Sequence, residues 1–137
     1  MYPLREHAQE GICTKSLYVA TYEGKIVGSV IYLLEQGQVY QNVNWQLDFD
    51  VPVIVIHILA VHPDYLGCGV GKAVLEYAEN FGRRQGARTI RLDTYEKNTQ
   101  AVRLYEKCNF QECGRVDLGL EPIYGLKWYR AFEKIIN

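Results

Sequence analysis

Three glycines alternate at Gly67, Gly69 and Gly71, and Lys72 follows directly. Before them lies an apolar run, residues 51–61. After them Val70, Ala73, Val74, Tyr77, Ala78 and Phe81 recur at the spacing of one helical face. Glycine lets a backbone turn tightly and approach a ligand closely. A helix N-terminus presents unpaired N–H groups and about half a positive charge. Together these features suit a phosphate or pyrophosphate. A tight strand-to-helix turn is the plain alternative, but three alternating glycines exceed what a turn needs. A P-loop is excluded, because it requires glycine where Leu66 stands and Ser or Thr where Ala73 stands. A dinucleotide fingerprint fails at Lys72 when read from Gly67, and at Val74 when read from Gly69.

The elements that must position this loop read as strands first, then alternating helices and strands. Residues 17–22 and 26–34 are β-branched and aromatic runs around a Glu23-Gly24-Lys25 turn, which predicts an antiparallel hairpin. Residues 3–10 read as a short helix stopped by Gly11. The polar segment 36–50 reads as a long loop carrying Tyr40, Trp45 and Asp48. The run 51–61 suits a strand buried on both faces. Residues 89–92 form a short strand. Asn98 then stands as a helix cap, and Ala101, Leu104, Tyr105 and Cys108 continue on one helical face. Asn109 suits a left-handed helix end. Residues 110–116 and 126–135 are the last strands, with a loop at 117–124. The expected fold is an α/β domain with a mixed sheet.

The 137 residues fit a single domain, 1–137, with enough chain for one good core. Fifteen basic and sixteen acidic residues leave a net charge of −1. That balance argues against nucleic acid and anionic membrane as partners, while leaving room for a local positive pocket. No apolar run is long enough to span a bilayer, and the first residues lack a signal-peptide core, so a cytoplasmic location is expected. Cys13, Cys68, Cys108 and Cys113 form no CxxC pair and read as reduced thiols; no metal site is expected.

The stretch from Leu59-Ala60-Val61-His62-Pro63 through Leu66-Gly67-Cys68-Gly69-Val70-Gly71-Lys72 resembles the acetyl-CoA signature of the GNAT acetyltransferase superfamily. That signature has Gln/Arg-x-x-Gly-x-Gly/Ala opening the helix after the fourth strand. A second stretch, Ile90-Arg91-Leu92-Asp93-Thr94 with Asn98, Ala101, Leu104-Tyr105 and Asn109-Phe110, is similar to the family's next strand, N-x-x-A-x-x-x-Y helix and following strand. The likeness runs over residues 17–135. It implies a mixed, mostly antiparallel sheet with splayed central strands and flanking helices. Three departures stand out. Leu66 replaces the Gln/Arg, Cys68 occupies a usually polar position, and Asn109 replaces glycine. The front is also short. Only sixteen residues precede Leu17, so the N-terminal part is short or truncated and the 17–22 strand is expected to be an unpaired sheet edge. An open edge invites pairing, so a homodimer through this edge or through the C-terminal strands is expected.

The resemblance implies acetyl-CoA as co-substrate and a primary amine, on a small molecule or peptide, as acceptor. Backbone groups of Leu59, Ala60 and Val61 would hold the pantetheine arm. Leu66, Gly67, Cys68, Gly69, Val70, Gly71 and Lys72 would cradle the pyrophosphate, with Asn98 and Ala101 beside the arm. Tyr105 would be the acid that protonates the leaving thiolate, or else a core aromatic of its helix. His57 is the first candidate for the group that deprotonates the amine, unless it is a packed core histidine. Asp93 and Glu35 are further candidates. Two rival readings are a non-catalytic acyl-CoA-binding domain and a nucleotide-phosphate module.

Overall fold

Glu23 and Gly24 both take positive φ, 51° and 79°. A two-residue connection of that hand matches the twist of the strands it joins. It links β2 (Leu17–Tyr22) to β3 (Lys25–Leu33) as the predicted hairpin. The computed structural model describes residues 17–136 and the backbone of residues 7–9. His7–Gln9 (β1) pairs antiparallel with Leu17–Val19. This corrects two expectations. Residues 7–9 are strand rather than helix, and β2 is not an unpaired edge. Three residues suffice for a strand that borrows its stability from a longer neighbour. The argument for a second copy docking on β2 loses its premise over Leu17–Val19. The rest of the expected 3–10 helix and Cys13 lie outside the described residues.

Val53–Val61 (β4) pairs antiparallel with β3 and parallel with Thr89–Tyr95 (β5). The helix Val70–Arg84 (α1) supplies the crossover between them. A second helix, Thr99–Lys107 (α2), follows β5. Gln111–Asp117 (β6), the single turn Glu121–Tyr124 (α3) and Trp128–Ile135 (β7) complete the chain. The sheet order is β1-β2-β3-β4-β5-β7-β6, and only β4 and β5 run parallel. The resemblance implied this mixed, mostly antiparallel sheet. The 117–124 segment, read as loop, carries α3. No helix among the described residues is long and apolar enough to cross a membrane.

Both faces of the sheet are covered. On one, Ile54 and Ile56 of β4, Ile90 and Leu92 of β5 and Phe132 of β7 pack under α1 and α2. On the other, Val53 and Val55 pack against Tyr40, Trp45 and Phe49 of segment 36–50. Double burial of β4 holds only for Val53–Ile56; His57, Ile58 and Ala60 are exposed. The expected strand buried on both faces along 51–61 is therefore corrected in its second half.

Segment 36–50 is fastened by a charge inside the protein. Arg91 on β5 and Glu133 directly opposite it on β7 are both fully buried, with Nε 2.8 Å from Oε2. The remaining Arg91 donors go to Gln36 Oε1 and to the carbonyls of Leu47, Asp48 and Phe49. Thr89 Oγ1 and the Gln46 N–H donate to Glu133. Removing one partner of such a pair strands a buried charge, whereas replacing both by apolar groups is far cheaper. Glu133→Gln is therefore expected to lower unfolding free energy by about 3–5 kcal/mol in urea titrations. An Arg91→Met/Glu133→Met double variant should lose less than Arg91→Met alone, which strands the Glu133 carboxylate in addition to the carbonyls of Leu47, Asp48 and Phe49.

Candidate active site

The parallel ladder between β4 and β5 ends at Ile56 opposite Leu92. Beyond it β4 continues with β3, and β5 continues with β7. The two central strands therefore part, and the backbone groups of residues 57–61 that face the gap have no strand partner. A bulge sits at the same point. The β3–β4 register shifts between Ser29 and Ile31, and Ile58 takes a φ of 54°. Positive φ is costly for a β-branched residue and marks a local constraint.

A cavity of about 440 Å³ opens on the helical side of this fork. Leu59 and Val61 form its β4 wall. Leu66, Gly67, Gly69, Val70, Gly71 and Lys72 form its floor at the start of α1, and Asn98, Ala101 and Tyr105 form its α2 wall. The residues singled out in the sequence thus largely converge on one cavity; Ala60, Cys68 and His57 do not line it, and neither do the candidate bases Asp93 and Glu35. Ala60 of β4 pairs with Ser29 of β3, Cys68 is half-buried with its N–H bonded to the Tyr65 carbonyl, and His57 is exposed.

Local chemistry explains the shape of the cavity. His62 Nδ1 accepts from the Asp64 N–H, and Pro63 starts a single 3-10 turn that delivers Leu66 to the rim. Gly69, at φ 88°, caps α1 without any side-chain hydrogen bond, so the first N–H groups of the helix stay free at the cavity floor. Gly71 is required by close approach, because a Cβ there would lie 2.7 Å from Leu104 Cδ2 on α2. Asn98 caps α2 by accepting from the Ala101 N–H at 3.2 Å. Asn109 closes the helix at φ 70°, as its residue type predicted.

Sequence reasoning did not single out Arg103, Lys107, Tyr65, Gln100 or Leu104, which also line the cavity. Arg103 and Lys107 stand four apart on α2. With Lys72 they give the lining three cationic side chains and no acidic one. This is the local positive pocket that a near-neutral chain left room for. The one-turn spacing of Arg103 and Lys107 was the available signal.

At the fork, groups from both faces of the sheet meet. Tyr105 is 5% exposed and packs against Phe110 and Phe132, so it is a core aromatic that also lines the cavity. Burial, helped by the Asp93 carboxylate, pushes its phenol up to about 12. Asp93, on the opposite face of β5, accepts a hydrogen bond from the buried Tyr40 hydroxyl. Burial raises the Asp93 carboxyl, while Tyr40 and His57 pull it back. Burial and then Asp93 hold the Tyr40 phenol well above its ordinary value. His57 is exposed, so its reading as a packed core histidine is corrected. It lies within electrostatic reach of Asp93. Glu35 is exposed, and none of these contacts involves it.

Comparisons with known proteins agree with this geometry. The model of the acetyltransferase (GNAT) family matches residues 2–110. The "Probable spermine N(1)-acetyltransferase" of Bacillus subtilis subsp. natto is 30% identical over 103 residues, which cover 74% of this chain and 63% of the relative. An uncharacterized N-acetyltransferase of Methanocaldococcus jannaschii is 28% identical over 96 residues, covering 69% of this chain but 38% of the relative. The chain thus spans less than two thirds of the length of either relative. Among solved structures, a "putative streptothricin acetyltransferase" from Bacillus anthracis in complex with acetyl coenzyme A superposes with a TM-score of 0.69 at 20% identity, over 88% of this chain and 63% of that one. At that identity the likeness is one of fold. The family match over most of the chain, together with the forked sheet and its glycine-floored cavity, establishes that this chain belongs to the GNAT acetyltransferase family.

Proposed function

We propose that the chain transfers an acetyl group from acetyl-CoA directly to a primary amine. The observation that carries this reading is the fork. A cationic cavity lies on one face of it and the Asp93 carboxylate on the other, and the protonated Tyr105 phenol lines the cavity within electrostatic reach of that carboxylate. The residues present fit acetyl-CoA. Free N–H groups at the start of α1 and the side chains of Lys72, Arg103 and Lys107 suit its phosphates. Backbone groups of Leu59 and Val61 on the cavity's β4 wall suit the amides of its pantetheine arm. Leu66 contributes no polar group there, and the cationic side chains of α2 supply charge in its place.

When bound, acetyl-CoA supplies an activated acetyl thioester. The chain's own groups then have three tasks. Donors at the fork polarise the acetyl carbonyl. Asp93, whose ionised form is favoured by the Tyr40 hydrogen bond against the burial that raises it, takes the proton that the amine gives up as its nitrogen bonds to the acetyl carbon; His57 is the second candidate for this step. Tyr105 donates its proton to the sulfur as the C–S bond breaks, leaving a free thiol and an N-acetyl product. The phenol's raised pKa keeps it protonated until then. Placing the two reactants across one gap accounts for the rest of the rate. The name of the Bacillus relative makes spermine a first acceptor to try. The free thiols of Cys68, Cys108 and Cys113 support a reducing, cytoplasmic setting.

A panel of primary amines, including spermine and short peptides with free N-termini, assayed by thiol release from acetyl-CoA, tests the reading. Micromolar acetyl-CoA binding without turnover on any amine would leave only a binding domain. Gly69→Asp puts a negative charge and a strained left-handed residue at the cavity floor. Its acetyl-CoA affinity is expected to fall at least tenfold by calorimetry; unchanged affinity in the folded variant would remove the loop from the site.

Tyr105→Phe keeps the ring packed against Phe110 and Phe132 and removes only the O–H. Stability should change by about 1 kcal/mol or less, and turnover should drop by about a hundredfold. Acetyl-CoA affinity should barely move. Because burial raises the Asp93 carboxyl, activity should fall as pH drops through a midpoint above that of an ordinary aspartate. A kcat/KM profile reads that midpoint.

A further inference from the structure

Segment 36–50 is more than a cover for the open face of the sheet. Tyr40 lies on a 3-10 turn, Gln38–Asn42, and is 4% exposed. Its hydroxyl donates to Oδ2 of Asp93. Its backbone carbonyl is held in turn, because Trp45 Nε1 donates to it at 2.8 Å and the two rings lie 5.1 Å apart. The other end of the arrangement is fixed by charge. The Arg91 guanidinium sits 4.7 Å from the Trp45 ring while donating to the carbonyls of Leu47, Asp48 and Phe49. The chain of contacts therefore runs from the buried Glu133–Arg91 pair through Trp45 and Tyr40 to Asp93. Every link in it is a specific polar or ring contact.

We infer that Tyr40 is a positioning residue, whose hydroxyl fixes the Asp93 carboxylate at the fork and favours its ionised form. The inference rests on the reading of Asp93 as proton acceptor. The groups facing Asp93 come from four elements: Tyr40 from the loop, His57 from β4, Tyr105 from α2 and Tyr129 from β7. Of these, Tyr40 is the one with a hydrogen bond to the carboxylate. A donor to a carboxylate stabilises its charged form, opposing the burial that raises it. It also leaves the carboxylate less free to rotate, so that the other oxygen can be aimed at an amine entering the gap. An aspartate without this contact would be left to the burial that raises it, and would act as a base only at higher pH.

The test is a titration of Asp93 followed by carboxyl 13C NMR, with Asp93→Asn used to assign the signal. In Tyr40→Phe, which keeps the ring, the Asp93 midpoint is expected to rise by about one to two pH units. With an acceptor from the amine panel, the acid limb of kcat/KM should move up by the same interval, and acetyl-CoA affinity should stay unchanged. An Asp93 midpoint equal to that of the wild type overturns the role of Tyr40 while leaving the transfer reading intact. The wild-type protein supplies an independent check, because the Tyr40 13Cζ shift should follow the Asp93 titration; a flat response shows that the hydrogen bond is absent in solution and overturns the inference. Full turnover with an unchanged pH profile in Asp93→Asn would place the proton elsewhere and overturn the reading and the inference together.

Discussion

The pairing of Arg91 with Glu133 is the contact on which the two-sided site depends. Both side chains are fully buried, at neighbouring positions on β5 and β7. Burying two charges is expensive, and a close pair alone does not always recover that cost. Here the remaining donors and acceptors are also satisfied. Every N–H of the guanidinium has an acceptor, and Glu133 additionally receives Thr89 Oγ1 and the Gln46 amide. Most of those partners are backbone atoms of a segment with little regular structure. The pair thus does for segment 36–50 what a strand ladder does elsewhere: it gives buried carbonyls somewhere to bond. An apolar replacement could fill the space, but it could not specify where Leu47, Asp48 and Phe49 lie. Tyr40 and Trp45 then take their places against Val53 and Val55.

The fork depends on a different economy of contacts. A parallel pair of strands normally continues as far as both chains extend. Here β5 keeps a full antiparallel partner in β7 through Tyr95, while β4 keeps β3 through Gly28–Val61. Each strand is thus held from its outer side after the inner ladder stops. The bulge at Ile58 turns β4 away at the required point, and its positive φ is tolerated because the flanking pairs His57–Ile31 and Ala60–Ser29 hold it. The resulting gap is where a phenol rooted in the α2 core and a carboxylate rooted in the opposite layer come within electrostatic reach.

Much of this was legible in the residues, and the exceptions have physical causes. Alternating glycines, an Asn cap and a helical stripe are local features. The loop, Asn98, the hairpin and the packing of Tyr105 were therefore readable from short windows. β1 was not, because three residues carry no periodicity and their strand state comes entirely from pairing with β2. Arg91 was not either. A single cation in a β-rich run reads as a solvent-facing residue of an alternating strand, and its counter-charge lies 42 residues away at Glu133. The same distance problem hid the contact between Tyr40 and Asp93, which are 53 residues apart. The general base stayed open for that reason. Choosing among His57, Asp93 and Glu35 requires knowing which of them shares a buried space with the tyrosines.

That contrast has a structural logic. The cavity floor is made largely of backbone. Helix N–H groups, a left-handed Gly69 and the unpaired edge of β4 ask of the sequence only that certain side chains be absent or small. Leu66 and Cys68 can therefore occupy positions where the family carries polar residues without dismantling the site, provided that charge is restored nearby, as Lys72, Arg103 and Lys107 do. The opposite face is made of side chains: a carboxylate, a phenol, an indole and a guanidinium, each placed by the next. A backbone-built site is written in short glycine spacings. A side-chain-built site is written in contacts between distant residues and is free to differ from chain to chain. The cavity half is for this reason recognisable as a motif, whereas the half around Asp93 is written in contacts between segment 36–50 and its buried anchor.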